Sequence, residues 1–375
     1  MKNRLSVYGT LGPACADRNL IIQMFRAGMT GMRLNLSHRS LSECREWLGE
    51  LRAASKQLHI VPDLLVDLQG PELRIGRIPS PIPLTEGGRV FLVPVSSWNP
   101  NRQVSDRSAV DCIPLIPCPD VIFSYIGKDS LLRLDDGKLG LRVTKALDSE
   151  SCPDSHDQAA GYEAAVLTTG TLLPAKSIAI DDVSIPLPPL TDQDRESLSQ
   201  LGAYGVTGVM QPFVRTREDL ISLRKEMAAD HMDHIKVFAK IENKEGVENI
   251  TDLLPFCDEI IIARGDLGNA IPLSSLPVVQ KQIASVCRAA KKPFMVVTQM
   301  LASMEEGPVP TRAEVSDVAN AIFDGASSIM LTGETAAGRY PVEAMTIFCE
   351  TAFEAQRYMA QARSTRRRPF PNIPL

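Results

Sequence analysis

The chain has 375 residues, 44% of them hydrophobic and 23% charged, with a formal net charge of −5. That balance fits a globular protein with room for one large barrel and a smaller inserted domain, and it excludes disordered and collagen-like chains. The mild acidity gives no electrostatic reason to bind nucleic acid. MKNRLSVYGTLGPA holds no apolar signal segment and no apolar run is of bilayer length, so a soluble cytoplasmic protein without a membrane partner is expected.

In chain order, short apolar runs predict strands at 5–8, 32–36, 64–68, 206–210, 237–241, 260–263, 294–297 and 328–331. Most are apolar almost throughout, as parallel strands buried on both faces are. Helical patterns separate them. In 19–28, Leu20, Met24 and Ala27 make one stripe and Gly28 supplies a stop. Thr191 offers an N-cap to an acidic first turn before a helix through Leu201. Further helices are expected at 217–228, 276–290, 312–324 and 341–358. Repeated β-then-α units predict an α/β fold, a TIM (β/α)8 barrel with an outer helical ring.

Between Arg74 and Val183 the helical period disappears and turn signals become dense: Pro79, Pro81, Pro83, Gly87-Gly88, Asn99-Pro100 and Asp136-Gly137. Strand-like runs at 90–95, 139–143 and 164–168 make this an inserted small β-barrel domain after strand 3, placed to close over the barrel mouth. The expected layout is barrel over 1–73, inserted β domain over 74–183, barrel again over 184–358, and a basic, proline-rich tail over 359–375. The tail holds Arg363, Arg366, Arg367 and Arg368 and is expected to be solvated. The eight cysteines include no C-x-x-C pair, and Cys257, Cys287 and Cys349 read as core residues of a protein from a reducing compartment.

In a parallel barrel the C-terminal strand ends converge on one mouth. Here they carry Arg33, Asn35, Ser37 and His38 on the second strand, Asp67 on the third, and Lys240, Glu242 and Asn243 on the fifth. The sixth runs into Arg264-Gly265-Asp266, the seventh into Thr298-Gln299 and the eighth into Thr332-Gly333-Glu334. Any one of these alone reads as a polar turn residue; several strand ends charged at once do not. Glu242 and Asp266 offer oxygen ligands to a hard divalent cation, Mg2+ or Mn2+. Lys240, two residues before Glu242 and so on the same strand face, suits a phosphoryl group or a developing enolate. Gly265 lets a backbone approach closely, and the amides that follow could hold phosphate.

Several ordered motifs resemble the pyruvate kinase family: TLGPA, AGMTGMRLNLSH, VDLQGPELRIG, LDDGKLGL, AKIENKEGVENI, IIIARGDLGNAIP, VVTQMLASM and PTRAEVSDVANAIFDGASSIMLTGETAAGRYPVEA. The resemblance runs from about Thr10 to Ala355 and is weaker through the insertion. It implies phosphoryl transfer between phosphoenolpyruvate and ADP, giving pyruvate and ATP in glycolysis. Glu242 and Asp266 resemble the Mg2+ ligands, and Lys240 the lysine at the transferring phosphoryl group and the enolate. Gly265, Asp266 and Thr298 resemble the contacts to the substrate carboxylate, with Thr298 and Glu334 where the enolate is protonated. Arg33 and Arg74 resemble phosphate contacts, and Asn35 and His38 nucleotide-side residues. Asn35, Ser37, Asp67 and the carbonyl of Leu68 resemble a K+ site. Glu72 resembles members that need K+, whereas Leu68-Gln69 resembles members that do not.

Two further departures bear on function. TGTLLPAKSIAIDD makes Lys176 the candidate lysine for the nucleotide phosphate, with Ser177 where the family has glycine. The chain also stops where most members continue into a C-terminal effector domain, so it reads as a short form without effector activation of that kind. A homodimer through the barrel face is expected, with Arg312 resembling a residue of that contact. The alternatives are a phosphoenolpyruvate- or pyruvate-handling metal-dependent lyase or aldolase on a similar barrel, and a non-catalytic binding protein derived from the kinase.

Overall fold

The computed structural model describes residues 5–37, 39–98, 113–135, 137–147, 161–181, 183 and 185–364. The chain divides into two compact units, one of residues 1–71 and 188–375, the other of residues 72–187. His38, the Asn99-Pro100 turn, Asp136 and the tail arginines Arg366, Arg367 and Arg368 lie outside the described residues.

The first unit is a closed barrel of eight parallel strands: β1 (Ser6–Thr10), β2 (Gly31–Asn35), β3 (Asp63–Asp67), β4 (Gly208–Gln211), β5 (Lys236–Ile241), β6 (Glu259–Ala263), β7 (Phe294–Val297) and β8 (Ser328–Met330). Each strand pairs with its sequence neighbours and β8 closes on β1. All eight fall on the runs expected from the sequence. Alternation along the strands makes two cores. Ile260 and Ile262 of β6 join the core beneath the helices, while Ile261 and Ala263 join Tyr8, Leu65, Met210, Phe238, Met295, Val297 and Met330 in a separate cluster filling the barrel. Gly208 makes room there, because a Cβ at that position would stand 2.6 Å from the Phe238 ring and 2.7 Å from Leu65.

The helix Arg18–Ala27 ends at Gly28, whose φ of 121° a side chain would resist. Its buried face is Ile21, Ile22, Met24 and Phe25 rather than the expected Leu20–Met24–Ala27 stripe, since the two isoleucines and the phenylalanine bury more apolar area. Thr191 caps Asp192–Tyr204, and its capping box is closed by Asp194. The last helix, Pro341–Ser364, runs past the expected end at Tyr358, because residues 359–362 (Met-Ala-Gln-Ala) are strong helix formers. Cys257, Cys287 and Cys349 are buried and free. Among the described residues no helix is long and apolar enough to cross a membrane.

The second unit has its own apolar cluster, built around Val90, Leu92, Leu132, Leu141, Val143 and Ala164. Among the described residues the expected small barrel takes the form of a six-stranded sheet and a two-stranded pair. The sheet order is Ile178–Ile180, Leu131–Leu134, Leu139–Ala146, Tyr162–Val166, Arg89–Pro94, Leu115–Cys118. Ile82–Leu84 pairs with Gly170–Leu172.

The end of the barrel opposite the strand C-termini holds a polar group of its own. Ser328 Oγ donates to Glu259 Oε1, and Tyr8 Oη donates to Asp63 Oδ2 at 3.0 Å. Burial pushes the Glu259 carboxyl up to about 7, against the Ser328 hydrogen bond and Lys236. A carboxyl raised in the folded state stabilises the fold fully below its unfolded pKa near 4.5, and that contribution is lost as pH rises through about 7. Glu259→Gln should therefore flatten the pH dependence of melting between about pH 5 and 8. At pH 8 it should be more stable than the parent by about 1–2 kcal/mol, the full shift being discounted for partial exposure. A melting curve that keeps its slope in the variant would assign the pH dependence elsewhere.

Candidate functional site

Strand parity decides which side chains reach the mouth. Val237, Ala239 and Ile241 of β5 pack outward and Phe238 inward, so Lys240 and then Glu242 share the inward face. The same parity turns Arg33 of β2 inward between Met32 and Leu34, and Asp67 of β3 inward with Leu65. These four side chains meet. Lys240 Nζ lies 2.9 Å from Glu242 Oε1 and 3.2 Å from Asp67 Oδ2. Asp67 Oδ2 also accepts from Arg33 Nε at 3.0 Å and Nη2 at 2.5 Å, while Arg33 Nη1 donates to Thr10 Oγ1 at 3.3 Å. Glu242 Oε2 accepts the Phe213 amide at 2.7 Å, which fixes the carboxylate plane.

The electrostatics follow from burial. Burial alone would pull the Lys240 ammonium down, but Asp67 and Glu242 together hold it above the ordinary lysine value. Burial pushes the Glu242 carboxyl up, and Asp266 and Asp67 add to the push while Lys240 opposes it. Arg33, Lys240, Asp67, Glu242 and Asp266 together carry one more negative than positive charge. Two buried oxygens, Asp67 Oδ1 and Glu242 Oε1, have no hydrogen bond; Glu242 Oε1 is close to Lys240 but outside hydrogen-bonding geometry. Buried acceptors without donors are what a cation would satisfy. Among the described residues no group of three or more His, Cys, Asp or Glu converges as a metal cage.

Asp266 and Gly265 lie in the short helix Arg264–Ala270, which opens directly from β6. The Gly265 amide donates to Thr298 Oγ1 at 2.7 Å, and Thr298 Oγ1 donates to the Val297 carbonyl at 2.6 Å. Glu334 is buried, and both of its oxygens serve backbone amides: Oε1 that of Leu301 at 3.0 Å and Oε2 that of Thr332 at 2.8 Å. It braces the ends of β7 and β8. Asn35 Oδ1 accepts the Ser37 amide at 3.0 Å, and Leu68 is buried with its amide on the Met210 carbonyl at 3.1 Å. In the second unit, Arg74 bridges antiparallel to Ser177 and donates to Glu72 Oε2 at 2.6 Å and to the Ala175 carbonyl at 3.0 Å. Lys176 Nζ lies 2.7 Å from Asp135 Oδ1, so Arg74 and Lys176 are brought together within that unit. Sequence reasoning missed the Phe213 amide and the Thr10 hydroxyl, and it placed Arg264 at the end of β6 without giving it a role. Thr10, the first residue of TLGPA, and Arg264, beside Gly265-Asp266, both stood in motifs that could have drawn attention to them.

A closed parallel barrel with paired cations and carboxylates at its C-terminal mouth defines a TIM-barrel protein with a charged centre at the strand ends. The family description "Pyruvate kinase, barrel domain" matches residues 2–345. The chain is 35% identical to a pyruvate kinase of Geobacillus stearothermophilus over 358 residues, covering 95% of this chain and 58% of that protein. It is 33% identical to a pyruvate kinase of Clostridium acetobutylicum over 92% of this chain and 69% of the relative. For one of Lachancea kluyveri the identity is 33% over 94% and 68%. The chain belongs to the pyruvate kinase family, and it spans about 58% of the length of the first of these relatives.

Proposed function

We propose that the chain transfers a phosphoryl group between phosphoenolpyruvate and ADP, giving pyruvate and ATP. The observation that carries this reading is Lys240, a buried ammonium kept charged by Asp67 and Glu242 at the mouth of the barrel. Glu242 and Asp266 would hold Mg2+ or Mn2+, and the bound cation would neutralise charge on the phosphoryl group and on the enolate oxygen. Lys240 faces the transferring phosphoryl and then the enolate oxygen, with Arg33 as a second phosphate contact. Gly265, Asp266 and Thr298 orient the substrate carboxylate. A water beside Thr298 Oγ1 gives the proton that turns enolate into pyruvate, while Glu334 keeps the β7 and β8 ends in place. The protein's work is positioning and charge neutralisation, with no covalent intermediate required.

Arg74 and Lys176 serve the nucleotide phosphates in this reading, with Asn35 and His38 on the nucleotide side; phosphate oxygens would take over from Glu72 and Asp135. The buried Asp67 Oδ1, with Asn35, Ser37 and the Leu68 carbonyl, suits K+. Asp67 already answers Arg33 and Lys240, leaving charge for a monovalent rather than a second divalent ion. A homodimer through the barrel's helical face is supported by Leu273, Val278 and Val309, which are 73%, 58% and 71% exposed. They lie at the starts of two helices, Leu276–Ala289 and Arg312–Phe323, that Lys281 joins through Asn320 and Asp324. Arg312 is exposed at the head of the second helix. Cytoplasmic glycolysis is the setting this reading implies.

The protein supplied with phosphoenolpyruvate, ADP and Mg2+ should produce pyruvate, read as NADH oxidation by coupled lactate dehydrogenase, and K+ should raise the rate. Pyruvate released without ADP would point to a lyase or phosphatase instead. No turnover with or without K+ would point to a binding protein.

A further inference from the structure

β7 ends in a conformation that its residues resist. Thr298 has φ of 69° and Gln299 φ of 51°, so a β-branched residue and its neighbour both sit in the left-handed region. The side chain that holds them is Arg264, which is buried. Its Nη2 donates to the Thr298 carbonyl at 2.9 Å and the Gln299 carbonyl at 3.4 Å, and lies 2.8 Å from Met300 Sδ. Its Nη1 is 2.5 Å from Asp317 Oδ2, on the helix Arg312–Phe323. The backbone of the same residue opens the helix that carries Gly265, whose amide reaches Thr298 Oγ1. Thr298 is therefore gripped twice by one dipeptide, at its carbonyl by the Arg264 guanidinium and at its hydroxyl by the Gly265 amide. A relaxed strand end would need neither grip; what the strained turn achieves is the placement of Thr298 Oγ1 on the Gly265 amide, next in sequence to Asp266.

We propose that Arg264, anchored by Asp317, is a positioning residue that fixes the Thr298 hydroxyl for the proton-transfer half of the reaction. This rests on the phosphotransferase reading and adds to it the group that sets the geometry of Thr298. The fork of the guanidinium is essential, because one ammonium cannot reach Asp317 and both carbonyls together. In that half-reaction the electron pair of the enolate C=C bond takes a proton from water at the methylene carbon, and the enolate oxygen becomes the pyruvate carbonyl. Run backwards in D2O, a methyl proton is lost to solvent and a deuteron replaces it.

The test is the exchange of pyruvate methyl hydrogens into D2O with Mg2+ and ATP present, followed by proton NMR beside the forward turnover. Arg264→Lys should slow exchange and turnover by roughly 10- to 100-fold, the scale of a misplaced group, and leave the KM for ADP within about twofold. Asp317→Asn, which loosens the anchor and keeps the guanidinium, should act in the same direction and more weakly. Arg264→Lys added to Thr298→Ala should cost little beyond Thr298→Ala alone, since both act through one hydroxyl. Exchange at the parental rate in a folded Arg264→Lys or Asp317→Asn variant would overturn the proposal, as would losses that multiply in the double variant. If the parent protein itself exchanges no methyl hydrogens, the phosphotransferase reading falls and the positioning role falls with it.

Discussion

Lys240→Met is expected to lower phosphoryl transfer by roughly a thousand-fold and to move the pH dependence of divalent-cation binding to higher pH. The first effect follows from removing an ammonium, paired with Asp67 and Glu242, that in the proposed reading faces the phosphoryl and enolate charge. The second follows from Glu242. Its carboxyl is pushed up by burial and by Asp266 and Asp67, and Lys240 is what opposes them. Without the ammonium, Glu242 keeps its proton to higher pH, and a protonated carboxyl is a poor metal ligand. Mn2+ titrated by electron paramagnetic resonance should bind more weakly to the variant than to the parent at neutral pH and recover as the pH is raised further. The same pH dependence in parent and variant would show that Lys240 and Glu242 are not coupled.

Asp67→Ala carries the other large effect, on stability as well as turnover. Asp67 is 1% exposed and stands between two cations, taking three N–H or ammonium contacts on Oδ2. Its removal leaves Arg33 and Lys240 buried side by side, each repelling the other. Losing one partner of a buried ion pair costs about 3–5 kcal/mol. The urea midpoint of the barrel transition should fall accordingly, read separately from the second unit because a two-unit chain need not unfold in one step. Arg33→Met combined with Asp67→Leu removes charge in balance and should recover part of the stability without recovering turnover. A single variant with an unchanged midpoint would mean that solvent, rather than Asp67, screens the two cations.

Much of the barrel was legible because its strands are short, apolar and evenly spaced, and because parallel strands buried on both faces tolerate little else. The inward parity of Lys240 and Glu242 was legible for the same reason: two residues apart on a strand is one face. The insertion was harder. Its strands at Ile82–Leu84, Gly170–Leu172 and Ile178–Ile180 have three residues each, too short for alternation to register. The helix Arg45–Leu58 escaped notice because its cap residue, Cys44, makes no side-chain cap bond and only Leu48, Leu51 and Ala54 mark its buried face.

Within the site, residue types were legible and pairings were not. Composition at the strand ends announces charge, but nothing in the order of residues says that Asp67 serves Arg33 and Lys240 at once, or that Glu334 spends both oxygens on backbone amides. The left-handed Thr298 was also hidden, since a β-branched residue is the last one expected there. Its conformation is imposed by Arg264 and Asp317 through contacts 34 and 53 residues apart in sequence. Local preference lost to a tertiary grip.

The central claim is that the Lys240, Glu242 and Asp266 centre passes phosphate from phosphoenolpyruvate to ADP. Phosphorus NMR of the protein with both substrates and Mg2+ tests it most directly. The account predicts that the phosphoenolpyruvate signal decays as the γ-phosphate signal of ATP grows in step, and that chelating the Mg2+ stops both. Decay into inorganic phosphate with no ATP, or transfer that continues in Lys240→Met at the parental rate, would contradict it.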